Sequence, residues 1–191
     1  MWKETGKINI IATGQIIELY EKEYEIDGKL KMFENARRPP GVRLLFEKVG
    51  KILLTKEYRS EHNGFDYRLP GGKVFDRIAD MKQFTGDILD AAKNAAIIEA
   101  QEECGIVVDK KDLELFTTSH CGATIEWDLY YFIVQKFILT DIQALEEGEY
   151  ITFDWYSEDE IIDLARNGSI SEDRTKGVLW EYFLKNKESG V

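Results

Sequence analysis

Apolar positions follow two different rhythms along this chain, and the change between them falls at Pro70-Gly71-Gly72. Before that point β-branched and aromatic residues crowd "KINIIATGQIIELYEKEYEI", and Asp27-Gly28 ahead of "KLKMFENA" supplies the turn chemistry of a hairpin. "GVRLLFEKVGKILLTKEYR" reads as a second hairpin turning near Val49-Gly50. Between the two lies "ARRPPG", whose Pro39 and Pro40 suit neither a helix nor an inner strand. We therefore place a boundary there, with an N-terminal β extension over residues 1–38 and a main domain over 39–191.

After the glycines the spacing becomes helical. Residues 87–104, "DILDAAKNAAIIEAQEEC", are strong helix formers, with Asp87 or Asp90 as N-cap and Gly105 as the C-terminal stop. Strand-like runs return at "LELFTTS" and "EWDLYYFIVQKF". Ser157 and Glu160 make a capping box for "EDEIIDLARNG", and Ser171 begins "EDRTKGVLWEYFLKN". Strands, a central helix, strands and terminal helices predict an α/β (α+β) sandwich around a mixed sheet.

Composition narrows the function classes. The 191 residues can bury one ample core, and 36 acidic against 25 basic side chains give a formal charge of −11. That charge disfavours nucleic acid and anionic lipid as partners, so a phosphate ligand needs local arginines or a bound metal. No window has the apolar length of a membrane span, and "MWKETGKINI" lacks the order of a signal peptide, so the expectation is a cytoplasmic protein. Cys104 and Cys121 lack metal-ligand spacing and are expected to be free thiols.

The chemistry concentrates in "AAIIEAQEECGIVV", residues 95–108. Glu99, Glu102 and Glu103 stand at i, i+3 and i+4 and share one helix face. They lie near the negative pole of the helix, among the apolar residues Ile97, Ile98, Ala100, Cys104 and Ile106. Three carboxylates so placed repel one another unless water or a cation compensates them. Mg²⁺ takes such oxygen ligands and keeps waters for a phosphate substrate. Upstream, "YRLPGGK" sets two glycines after a proline, where backbone can approach a ligand closely.

Together these residues resemble the Nudix box, G-x(5)-E-x(7)-R-E-U-x-E-E-x-G-U, with Gly72 at its start and residues 99–106 at its end. Seventeen residues, 73 to 89, stand where the pattern has five, Asp90 replaces its first glutamate, and Ile98 replaces the arginine that orients a glutamate. Lengthening a loop costs little closure entropy, whereas losing the arginine removes a bidentate partner. "RRPPGVRLLFEKVGKILLTKEYRSEHNGFDYRLPGGK" is similar to the same region of ADP-ribose and nucleoside-diphosphate-sugar pyrophosphatases, and the likeness runs over roughly residues 15 to 186.

The resemblance implies a Nudix-type α/β/α sandwich with an N-terminal antiparallel extension that forms a homodimer. It implies hydrolysis of ADP-ribose to AMP and ribose 5-phosphate, or of GDP-mannose or another nucleotide sugar, with Mg²⁺ or Mn²⁺ held by Glu99, Glu102, Glu103 and the Gly71 carbonyl. Glu147 or Glu149, in "ALEEGEYITF", is the implied base, with Glu102 also among the catalytic candidates. Arg38, Arg59 and Glu126 are the implied substrate contacts. Tyr20, Tyr24 or Phe33 is a possible stacking platform for adenine, with core packing as the other use, and His62 and His120 are read as surface or loop residues. Ile98 keeps a second reading open, a non-catalytic Nudix-like nucleotide sensor. The third is an acidic helix in an unrelated sandwich.

Overall fold

A computed structural model describes residues 1–60, 63–140, 142–145 and 148–188. Three antiparallel strands open the chain: β1 (Trp2–Thr13), β2 (Glu18–Ile26) and β3 (Lys29–Arg37). At the β2–β3 turn Asp27 and Gly28 take φ of 49° and 77°, the positive pair that a tight two-residue hairpin turn requires. Val49 and Gly50, at 52° and 70°, repeat that geometry between β4 (Gly41–Lys48) and β5 (Lys51–Arg59). Then follow β6 (Gly64–Arg68), α1 (Ile78–Gln83), α2 (Ile88–Cys104), β7 (Ile106–Val107), β8 (Glu114–Ser119), β9 (Ile125–Glu126) and β10 (Leu129–Val134). The chain continues through β11 (Ile138–Leu139), β12 (Ile151–Tyr156), α3 (Glu158–Arg166) and α4 (Asp173–Glu188).

The central sheet runs β12-β5-β4-β10-β8, with β6 also paired to β5. It is mixed, since β10 lies parallel to β4 and antiparallel to β8. β4 meets β5 only beside their turn, at Glu47–Ile52 and Lys48–Lys51. Where they part, the carbonyls of Pro70 and Gly72 accept from the amides of Leu44 and Val42, each at 2.9 Å. The Pro-Gly-Gly turn is thereby wedged into a split in the sheet.

Both faces of the sheet are covered. α2 packs Ala92, Ala95, Ala96, Ala100 and Cys104 on Val42, Leu44, Phe46, Phe132 and Val134. These small side chains let the helix axis approach the strands closely. On the other face Leu45, Leu54, Leu129 and Tyr131 meet Ile161 of α3 and Val178, Leu179, Tyr182 and Phe183 of α4. This is an α/β/α sandwich. The second sheet, β1-β2-β3-β9, joins the first through the chain and through β9, which runs parallel to β3. Among the described residues no helix is long and apolar enough to cross a membrane.

Several details differ from expectation. The inserted segment contains a short helix, α1, because Ile78 finds a buried place and its amide donates to the Gln15 carbonyl at 2.9 Å. The run expected as one strand over "EWDLYYFIVQKF" is strand only at Leu129–Val134, with Ile125–Glu126 diverted to the other sheet. α4 begins at Asp173, because the Ser171 amide and hydroxyl both donate to Asp66 at 2.8 Å. Ile98 is not core but 55% exposed.

Candidate functional site

The rotation of α2 is set at its ends. Asp87, not Asp90, is the N-cap and accepts from the Leu89 amide at 2.8 Å; Gly105 closes the helix in the left-handed region at φ 58°. With the alanine face turned inward, the glutamate face meets the Pro-Gly-Gly turn. The Gly71 amide donates to the Glu103 carboxylate at 2.8 Å. Gly71 has φ 142°, and a β-carbon there would strike the Val42 carbonyl oxygen. A β-carbon on Gly72 would occupy the space of the Glu99 carboxylate. Each glycine is thus demanded by a close approach.

Behind the turn stands Arg43, a buried arginine in the middle of an apolar strand. Its Nε and Nη2 donate to the two carboxylate oxygens of Glu172 at 3.1 and 3.0 Å. Its Nη1 donates to the carbonyls of Val42 at 3.0 Å and Gly71 at 3.3 Å. The Gly71 carbonyl, expected as a metal ligand, therefore already accepts one hydrogen bond.

Two carboxylates of α2, Glu99 and Glu103, are held above the ordinary carboxylate range. Burial, then the charge of Glu102, raises Glu99 to about 7, against the opposing pull of Arg43. Burial, then Glu99, raises Glu103 to about 8, although the Gly71 amide and Arg43 favour its charged form. Such shifts mark groups that a cation would stabilise.

These residues line a cavity of about 1150 Å³. Gly71, Glu99, Glu102 and Glu103 form part of its wall, and Arg38, Arg59 and Glu149 also face it. Glu147 and His62 lie outside the described residues. Glu126 lines a neighbouring cavity of about 570 Å³, where Lys22 binds its carboxylate at 2.7 Å. Its position on β9 places it apart from the α2 glutamates. Tyr20 is fully buried, and Tyr24 and Phe33 pack on each other and on Trp2, with ring centroids 5.0–5.8 Å apart. These three aromatics line neither cavity. His120 is an exposed loop residue, as expected, and its Nδ1 lies 2.7 Å from Asp128. Cys104 is buried and Cys121 exposed, both free.

The sequence reading missed much of the cavity wall. Glu57, two positions before the expected Arg59 on β5 and on the same face, forms an ion pair with it at 2.5 Å and also lines the cavity. Arg43 carried a signal, a charge inside the buried run "GVRLLF", where an unpaired cation would be costly. Trp127 and Arg174 carried none, since only the fold brings Arg174 of α4 and Arg38 to the Trp127 ring, their guanidinium carbons 4.2 and 4.3 Å from its centroid.

The donor set suits a hard divalent cation in kind, being carboxylate and carbonyl oxygen on one wall. Among the described residues, no three His, Cys, Asp or Glu side chains are grouped so as to hold a metal ion as they stand. A cation would draw Glu99, Glu102 and Glu103 together, against the burial and mutual repulsion that raise Glu99 and Glu103.

No protein-family model and no curated protein sequence matches this chain. Its fold does match solved structures. One described as "Crystal structure of ADP compounds hydrolase" superposes with a TM-score of 0.74 over 98% of this chain and 96% of that one, at 16% sequence identity. At that identity the likeness establishes architecture, and the chain has a Nudix-like α/β/α fold with a mixed central sheet.

Proposed function

We propose that this protein is a divalent-metal-dependent pyrophosphohydrolase of nucleoside diphosphate compounds, with ADP-ribose, cleaved to AMP and ribose 5-phosphate, as the leading substrate. One observation carries this reading: Glu99 and Glu103, with pKa values raised to about 7 and 8, face a large cavity beside a glycine turn built to admit them. The similarity of fold to a hydrolase of ADP compounds supports it. GDP-mannose and other nucleotide sugars are the alternative substrates.

In this mechanism Glu99, Glu102, Glu103 and the Gly71 carbonyl would hold Mg²⁺ or Mn²⁺, which would supply charge to offset that on the diphosphate. Arg43 and the Gly71 amide fix the turn and Glu103 beneath it. Arg59 brings positive charge to the cavity for the diphosphate, and Arg38 adds positive charge for the substrate's anionic groups. Water adds to one phosphorus, the P–O–P bridge breaks, and a carboxylate takes the proton. Glu149 lines the cavity and is exposed to solvent, as a residue exchanging that proton requires. Glu147 is the alternative base.

A homodimer is part of the proposal. Every residue of β1 is exposed, including Ile8, Ile10 and Ile11, and Leu30 and Met32 of β3 add apolar surface to the same sheet.

The test is one assay. ADP-ribose, GDP-mannose, UDP-glucose, NADH and diadenosine polyphosphates are incubated with Mg²⁺, and nucleoside monophosphate is measured for wild type and Glu103→Gln. Turnover of at least one compound, reduced at least about 100-fold in the variant, is expected. Absence of turnover on all of them, with fold and metal binding intact, rejects the enzyme reading. The second reading, a nucleotide sensor, draws on Ile98, exposed at the cavity in place of an arginine. Tight nucleotide binding without turnover is its signature.

A further inference from the structure

The charges around the main cavity do not cancel locally. Arg43 is paired with Glu172, Arg59 with Glu57, Lys73 with Asp76, and Arg68 with Asp66. Arg38 and Arg174 have no carboxylate partner among the described residues. Both lie against Trp127, half-buried, and both face the cavity. Arg174 Nη1 donates to the carbonyls of Trp127 at 2.8 Å and Ser119 at 3.3 Å, which fixes its guanidinium plane. Its Nη2 is buried without a hydrogen-bond partner, and so is Nε of Arg38. Burial and the charges of Arg43 and Arg174 hold Arg38 below the ordinary guanidinium pKa, the mark of positive charge lacking an anion.

The placement of Arg174 is over-determined. Ser171 is tied to Asp66, and Glu172 is held by Arg43, so the chain enters α4 with the next basic side chain pointed at Trp127. Buried donors left unmade are costly, and two guanidinium groups brought to one ring repel each other. An anion between them relieves both penalties.

This cluster and the carboxylate wall line one cavity from different segments of the backbone. Gly41 at the start of β4 bonds to Asp128 on one side and bridges to Lys73, beside Gly72, on the other. Two strand spacings, about 10 Å, thus separate the backbone beside Trp127 from the turn beneath Glu99. On the pyrophosphohydrolase reading the diphosphate sits at the glutamates, which leaves the arginine cluster to take a further anion of the same substrate.

We propose that Arg38 and Arg174, stacked on Trp127, form a second anion subsite that receives a phosphomonoester carried elsewhere on the substrate than its diphosphate. The inference rests on the pyrophosphohydrolase reading for the position of the diphosphate. The favoured substrates are then nucleoside diphosphate compounds bearing an additional phosphate on a ribose hydroxyl. Arg174 acts as a specificity-determining residue, reading the phosphate with charge-assisted hydrogen bonds.

Equilibrium binding is measured by calorimetry in chelator, so that neither metal nor turnover contributes. The probes are AMP, adenosine 2′,5′-bisphosphate and adenosine 3′,5′-bisphosphate, with wild type, Arg174→Gln and Arg174→Lys. At least one bisphosphate is expected to bind wild type tenfold or more tightly than AMP. Arg174→Gln is expected to remove most of that ratio and Arg174→Lys to restore part of it. In parallel, kcat/KM is compared for NADPH against NADH with Mg²⁺. A binding preference with no turnover of these or of the compounds assayed above keeps this subsite and rejects the hydrolase reading. Equal affinity of wild type for all three probes, or a ratio unchanged in Arg174→Gln, overturns the subsite whether or not hydrolysis is seen.

Discussion

Gly72 shows how narrowly a single residue is specified here. Its α-carbon lies against the Glu99 carboxylate, and any side chain would displace that group. Gly72→Ala is expected to fold, because its backbone does not need positive φ, yet to lose about 100-fold in kcat/KM, the scale of a 1 Å misplacement at a reacting centre. Circular dichroism and steady-state kinetics on ADP-ribose check both halves; a variant as active as wild type would place Glu99 outside the chemistry. Ile98 is the contrasting position. Nothing in the structure pairs it with the glutamates, and the tethering expected of an arginine there is met for Glu103 by the Gly71 amide.

Among the elements, the inserted helix α1 has a clear structural role. It joins the N-terminal sheet through Glu18 of β2, a fully buried carboxylate that accepts from Lys82 at 2.9 Å, Thr13 at 2.9 Å and Arg37 Nε at 2.7 Å. Burial alone would raise its pKa, but Lys82, Arg37 and Thr13 lower it to about 2. Because the folded value is depressed, its stabilisation is complete above the unfolded value near 4.5 and is lost as pH falls toward 2. Urea midpoints should therefore fall across that window, and Glu18→Gln should be less stable at pH 7 with a flatter acid limb. An equally steep limb in the variant would assign the acid sensitivity to other carboxylates. At the end of α2, Gly105→Ala meets both a φ of 58° and the Ile142 backbone at 2.8 Å. A loss of at least about 1 kcal/mol in unfolding free energy is expected, measurable by denaturant titration.

At the scale of the whole molecule, a dimer through the first sheet is expected in solution. Ile8→Lys together with Ile10→Lys should shift sedimentation from dimer to monomer while the central sandwich stays folded; an unchanged sedimentation coefficient would remove this face from the interface. The same scale separates what was legible in the sequence from what was not. Both hairpin turns, the span and caps of α2, the capping box of α3 and the shared face of Glu99, Glu102 and Glu103 follow from local rules, since each depends on residues within one turn or one helix. The length of β10, the start of α4 and the exposure of Ile98 did not, because partners distant in the chain decide them. The site divides in the same way. Its carboxylates were visible because they sit on one helix, whereas Arg43 and Glu172 are 129 positions apart. Arg38, Trp127 and Arg174 likewise come from separate segments, joined where β4 lies beside β10 and α4 folds back over the sheet. The sequence alone determined the elements and the acidic face, because backbone preference and periodicity act over a few residues. Only the tertiary structure decided which charges are paired, which stand free and which cavity they share, because those depend on strand order and on burial.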